Sequence, residues 1–344
     1  MWSSISNIRM GGVKRDSNME LLRIIAMFLV MMIHTTQTIH YPGFDGKTVP
    51  FIEFGFVSLL RSVSFIAVNV FVLLSGWYGI RFTIKGLTRF IYQVAFFSLL
   101  CYTISVVMKT QPFSPKSLLL EGFMFGIDTY WFVQSYVLLF VLSPILNSFC
   151  ENTDRKMFRN ILVTYMAIMV YGGWLTQTMS GEIEGGLSVV FFIGLYLIAR
   201  YMRLYSPRFT TLNHKKDIFI FLLLTSITAV IAVATHGGTL LMANVYTYTC
   251  PLIIASSVFL LLAFSKIHFQ SKCINYLASS CFAVYLLHEH VSICKPLYRS
   301  TVRTLYYSEN PYITNWIDVI LFMLIVYFVA IIIDKIRLFI YSIK

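Results

Sequence analysis

The sequence predicts an all-α membrane protein, a polytopic bundle of about ten transmembrane helices, on three observations. Hydrophobic residues make up 58% of the 344 positions and charged residues only 12%, about half the charged share of a typical soluble domain. Mean hydropathy is +0.74. Apolar runs of roughly 18 or more residues recur along the chain, each long enough for a bilayer core.

The expected spans lie at about 19–39, 57–79, 87–108, 130–149, 158–176, 187–205, 217–235, 247–265, 274–294 and 314–338, with ends uncertain by a few residues. The first follows a polar, basic leader but has full span length and no small-residue cleavage site, so it reads as a retained helix. Aromatic residues stand at many span ends, such as Tyr130-Trp131 and Tyr201/Tyr205, as an interfacial belt requires. The segment 115–126, SPKSLLLEGFMF, is too short to cross and is expected along the surface. The loops leave no room for a soluble domain, so residues 1–344 are expected to form a single transmembrane domain. No internal repeat is evident.

Charge sets the orientation. The net charge is +12, but the basic residues are scattered between apolar runs rather than gathered in a patch, which excludes a nucleic-acid partner. Of 27 Lys and Arg, 19 fall on the side of the N-terminus and alternate loops, seven on the other side, and Arg23 within the first span. The positive-inside rule then predicts a multi-pass protein of the cell membrane, in contact with its lipids and with both termini cytoplasmic. The six cysteines form no CxxC pair, so neither a disulfide framework nor a metal site is expected.

The first span, NMELLRIIAMFLVMMIHTTQTIH, carries Arg23 and His34 eleven positions apart. At about 100° per residue they share one face, about 16 Å apart along the axis. Glu20 precedes Arg23 by three positions and is placed to pair with it. Ionisable side chains at this depth are costly, and they face a cavity or the bundle interior. Read separately, Arg23 also suits a snorkelling anchor and His34 a satisfied interior donor; sharing a face favours a joint role.

This pattern resembles the integral-membrane acyltransferase 3 family, whose members O-acylate sugars and lipids. The resemblance rests on MELLRIIAMFLVMMIH in the first span, VNVFVLLSGWYGI (Val68–Ile80) in the second, YWFVQSYVLLFVLSPIL in the fourth and SSCFAVYLLHEH (Ser279–His290) near the end. It implies a ten-helix enzyme that takes an acyl group from cytoplasmic acyl-CoA, with acetyl-CoA the expected donor, and transfers it to a hydroxyl presented at the opposite face. Arg23 and His34 match the family's paired residues, and His288 its Tyr-Leu-hydrophobic-His motif. Many members carry Arg-x-x-Arg after the second helix; here the cations are Arg81, Lys85 and Arg89, with different spacing.

Acyl transfer to a hydroxyl needs a proton acceptor, and an imidazole has a suitable pKa. His34 is the candidate, as base or as transient acyl carrier, with Arg23 beside it in the catalytic pair. Arg23, Arg81, Lys85 and Arg89 are candidates for the donor's phosphates, against the bland reading of the loop cations as positive-inside charge. Glu20, His288, Ser75 and Trp131 are substrate or supporting candidates, with Ser75, Trp131 and Asn69 better suited to helix packing than to catalysis. His288-Glu289-His290 does not form a helical metal motif, because residues two apart point about 200° apart. His290 and Glu289 therefore read as structural. His40–Asp45 matches His-x4-Asp by chance in a Pro/Gly loop, and His214, His236 and His268 are given no role.

The acceptor is expected to be a cell-surface or envelope glycan or its lipid-linked precursor. Outer-loop aromatics (Tyr41, Phe44, Trp174, Tyr306, Tyr307, Tyr312) suit sugar stacking and interfacial anchoring equally. The competing reading is a transporter or flippase for such a precursor without covalent chemistry. Against it stand the lack of an inverted repeat or matching Gly/Pro-broken helices and the scarcity of buried acids. The other multispan O-acyltransferase family, with an intramembrane His and Asn, fits the Arg23–His34 pairing poorly.

Overall fold

The structure, a computed structural model, describes residues 15–39, 50–123, 130–176, 184–235, 239–240 and 243–342. Its helices are α1 Ser17–Ile39, α2 Phe51–Ser64, α3 Ala67–Tyr78, α4 Ile84–Val107, α5 Pro115–Phe123, α6 Trp131–Asn152, α7 Arg155–Val170, α8 Val189–Tyr205, α9 His214–Ala234, α10 Pro251–Ser265, α11 Lys272–Ala278, α12 Phe282–His288, α13 Cys294–Tyr306 and α14 Tyr312–Ser342. A two-stranded antiparallel turn pairs Thr239–Leu240 with Ala243–Asn244.

Six helical stretches among the described residues are long and apolar enough to cross a membrane: α1, α2 with α3 as one 28-residue run, α4, α6, α9 and α14. The expected count of about ten is not reached. α7, α8 and α10 have 16, 17 and 15 residues, short of the roughly 20 that a perpendicular crossing takes. The expected span 274–294 is not one helix either. It divides into α11 and α12, with residues 289–293 non-helical before α13. Ser279 turns its hydroxyl back to the Tyr276 carbonyl at 2.8 Å, the local competition by which serine ends helices. The irregular backbone is shielded by protein: Ser280, Cys281 and His290 are fully buried, as non-helical segments at this depth must be. The surface segment expected at 115–126 appears as α5.

Caps explain several starts. Thr83 accepts from the Gly86 amide before α4, Asp154 from the Lys156 and Met157 amides before α7, and Asn213 from the Lys216 amide before α9. α1 contains neither glycine nor proline and runs unbroken through the centre, packed against α2, α3, α10, α11, α12 and α13.

Side-chain contacts give the bundle two faces. Where α1 begins, Tyr78 donates to Asp16 at 2.8 Å and Ser17 pairs with Asn275 at 2.9 Å; this is the near face. Where α1 ends, Tyr307 donates to the Ile39 carbonyl at 2.6 Å and Arg303 to the Thr38 carbonyl at 3.3 Å; this is the far face. The Ser-Gly-aromatic stretch closes the near face. A Cβ on Gly76 would meet the Tyr196 carbonyl at 2.5 Å, so only glycine lets α3 approach α8 this closely. Gly79 turns the chain at φ 72°, where glycine carries no steric cost. The turn is held by Tyr196 and Asn147, which bond the Ile80 amide and carbonyl at 2.9 and 2.8 Å.

Candidate active site

Arg23 and His34 lie on α1 at opposite ends of one polar line through the bundle. Arg23 is 4% exposed and bonds Glu20 one turn earlier, as the spacing predicted. Its outward side meets a narrow cleft walled by Phe71, Ser75, Phe90, Phe132 and Tyr136. Ser75 and Tyr136 join hydroxyls across the cleft at 2.8 Å. The cleft therefore offers one buried cation and two hydroxyls within an aromatic wall.

The wall continues toward the far face. Phe132 and Phe282 pack on Tyr285 with ring centroids 6.0 and 5.8 Å away, Tyr285 stands 6.3 Å from His288, and His288 5.1 Å from His34. Packed aromatic rings thus run from the cleft beside Arg23 to the imidazoles.

His34 Nδ1 is 2.8 Å from His288 Nε2, and His288 Nδ1 is 2.5 Å from the Val284 carbonyl. A carbonyl oxygen only accepts, so His288 Nδ1 carries its proton and donates. A neutral His288 then has its lone pair on Nε2 and accepts from His34 Nδ1–H. In a neutral His34 the lone pair then lies on Nε2. His34 keeps 15% of its side chain accessible while His288 is 1% exposed, so His34 is the member a substrate reaches.

Glu289 completes the group. Its Oε2 accepts from Lys295 Nζ at 2.7 Å, and its Oε1 lies 3.4 Å from His34 Nδ1, buried and without a hydrogen bond. The placement suits a carboxylate that balances positive charge as it develops on His34. Ligand atoms of His34, His288 and Glu289 all fall within 4.8 Å of one another, the separation a bound cation needs. The two ring nitrogens are nonetheless at hydrogen-bond distance, closer than the roughly 3.3 Å between two tetrahedral zinc ligands. The arrangement as it stands is a shared proton.

The remaining candidates separate. His290 lies in the non-helical segment after α12, where the helical two-residue argument does not apply, and bonds Glu121 at 3.2 Å; Glu121 also receives Ser98. Trp131 packs against Phe132, Phe192 and Tyr248, and Asn69 donates to the Tyr248 carbonyl at 3.0 Å; both fit helix packing. Arg81 and Lys85 are exposed at the near face and Arg89 is half-buried, next in the chain to Phe90 of the cleft. None of the three lines the cleft itself. The His40–Asp45 pattern, Tyr41, Phe44 and His236 lie outside the described residues.

Sequence reasoning missed two participants. Glu289 read as structural because a helix would have carried it off the His288 face; the end of α12 at His288 breaks that assumption. Arg200, on α8, packs its guanidinium 3.0 Å from the Cβ position of Gly79, and its buried Nε has no hydrogen-bond partner. No spacing rule connects it to the near-face turn.

A bundle with membrane-length apolar helices thus carries a buried cation and a hydrogen-bonded imidazole pair on one helix and its neighbours. The family model described as an acyltransferase domain matches residues 16–335. The chain belongs to the acyltransferase 3 family, and it is a membrane acyltransferase. No curated protein and no solved structure matches it.

Proposed function

We propose that the protein transfers an acyl group, with acetyl the expected case, from acyl-CoA to a hydroxyl of a cell-surface or envelope glycan or its lipid-linked precursor. The observation that carries this reading is the His34–His288–Val284 hydrogen-bond chain, which in a neutral His34 leaves the lone pair on Nε2. His34 takes the proton from the acceptor hydroxyl as its oxygen attacks the thioester carbonyl. The tetrahedral intermediate collapses, the C–S bond breaks, and the leaving thiolate takes that proton back from His34. His288 positions the ring, and Glu289 offsets the imidazolium charge.

The near face carries the excess of Lys and Arg, which assigns it to the cytoplasm in this reading. The donor's phosphates then meet Arg81, Lys85 and Arg89, while Arg23, fixed by Glu20, faces the arm that enters the cleft. Guanidinium groups suit this role because they bind phosphate oxygens in pairs. No metal is assigned a step.

The direct test is release of CoA thiol from acetyl-CoA by purified protein in detergent, followed by mass spectrometry of surface glycan from cells with and without the gene. Thiol release and an acetyl ester present only with the protein support the reading. Movement of an unmodified glycan precursor with no dependence on acetyl-CoA refutes it.

A further inference from the structure

Packing brings together two thiols that no cysteine motif connects. Cys101 lies in the second half of α4, which leaves the near face at Ile84, and Cys294 opens α13. They are 193 positions apart in the chain, yet their sulfurs stand 3.6 Å from one another. Neither is bonded to another cysteine. Two sulfurs in van der Waals contact on adjacent segments need only side-chain rotation and a small backbone shift to reach disulfide geometry.

A buried polar clasp beside the thiols sets this contact. On α4, Ser98 precedes Cys101 by three positions, so the two share one side of the helix. Ser98 bonds Glu121 of α5, and His290 Nε2 lies 3.2 Å from the same carboxylate oxygen and 3.5 Å from the Ser98 hydroxyl. All three side chains are buried. The Lys295 amide in turn donates to the His290 carbonyl at 2.9 Å, which folds residues 290–295 into a compact turn against α4. That turn is bounded by Glu289 and Lys295, the ion pair beside His34. Access to the two sulfurs differs. Cys101 is buried and Cys294 partly exposed, so an oxidant meets Cys294 first and Cys101 is the resolving thiol.

We propose that Cys101 and Cys294 are a modification site that closes to a disulfide and clamps the segment carrying Glu289 to α4. With a small-molecule disulfide as the oxidant, the Cys294 thiolate attacks one of its sulfurs and releases one thiol. The Cys101 thiolate then attacks Cys294 Sγ and releases the second. Two protein thiols and the oxidant's S–S bond become one protein S–S bond and two small thiols, so protons and electrons balance. In the orientation proposed above, both cysteines lie in the half facing away from the cytoplasm, the oxidising side on which disulfides persist. The bond would close a loop spanning 193 positions, removing freedom from the unfolded chain. The pairing is read from the sulfur contact and stands apart from acyl transfer, so its failure leaves the proposed function untouched.

The test is mass spectrometry of the full-length protein, purified in detergent under dithiothreitol, freed of it and divided. One half is treated with oxidised glutathione; both are then alkylated with N-ethylmaleimide and digested with chymotrypsin. A peptide pair joined through Cys101 and Cys294, lighter by two hydrogen atoms than the sum of its thiol forms, is expected in the oxidised half and not in the reduced half. Its absence after oxidation, or glutathione retained on Cys294 beside a free Cys101, overturns the inference. Thermal unfolding reads the clamp. The midpoint of the oxidised wild type is expected about 5 °C or more above that of the reduced protein, and the difference is expected to vanish in Cys294→Ser and in Cys101→Ala. Equal midpoints in the two wild-type samples, or the same difference in either variant, overturn it.

Discussion

At the near end of α1, Arg23 is buried against Glu20, three positions away on the same helix. At the far end, His34 finds its partner 254 positions along the chain, in the segment where α12 gives out. The first pair is charged, local and closed. The second is long-range and open, because donation of Nδ1–H to His288 leaves the Nε2 of a neutral His34 with its lone pair. An ion pair of this kind holds a charge in place, whereas a hydrogen-bonded imidazole pair keeps a reactive atom available. Burial alone does not distinguish a structural polar group from a chemical one; what remains unsatisfied does.

The sharpest way to break this comparison is His34→Ala. It is expected to lower acyl transfer by roughly a hundred- to ten-thousand-fold, the span general-base catalysis contributes, with unchanged yield and elution of folded protein. Transfer at the wild-type rate would remove His34 from the chemistry. At the other end, Glu20→Gln leaves the Arg23 charge buried and unpaired, and is expected to destabilise the bundle by about 3–5 kcal/mol. Thermal unfolding in detergent checks this, and an unaltered midpoint would mean that the pair is not closed as described.

His288→Ala removes the acceptor of the His34 Nδ1 proton. A loss of about 1.5–3 kcal/mol in transition-state stabilisation is expected, the range of a hydrogen bond to a group that becomes charged, with kcat falling and KM for acetyl-CoA unchanged. A change confined to KM would make His288 a binding residue. Gly76→Ala probes a site distant from both histidines, with an expected cost of about 1–3 kcal/mol from overpacking against Tyr196, read as a lower unfolding midpoint. The smallest effect is expected for Glu289→Gln, about a ten-fold fall in kcat, since Lys295 still holds the carboxamide beside the ring.

Much of this was legible in the residues. Hydropathy alone identified the α1, α2–α3, α4, α6, α9 and α14 runs, because a bilayer-length apolar stretch has few other uses. Helical spacing predicted the Glu20–Arg23 pair. The same one-dimensional logic failed at 274–294, where an apolar run read as one helix is broken at serine and cysteine, and at Glu289, which was assigned to a helix face that does not exist.

The sequence by itself determined the membrane class, the burial of Arg23 with its local partner, and the placing of a histidine three turns further on. Only the tertiary structure decided that His34 meets His288 and that Glu289 stands beside them. The reason is physical. Hydropathy and helical period act over neighbouring residues, whereas the partner of a buried polar group is chosen by which distant segments the packed bundle brings within about 3 Å of it.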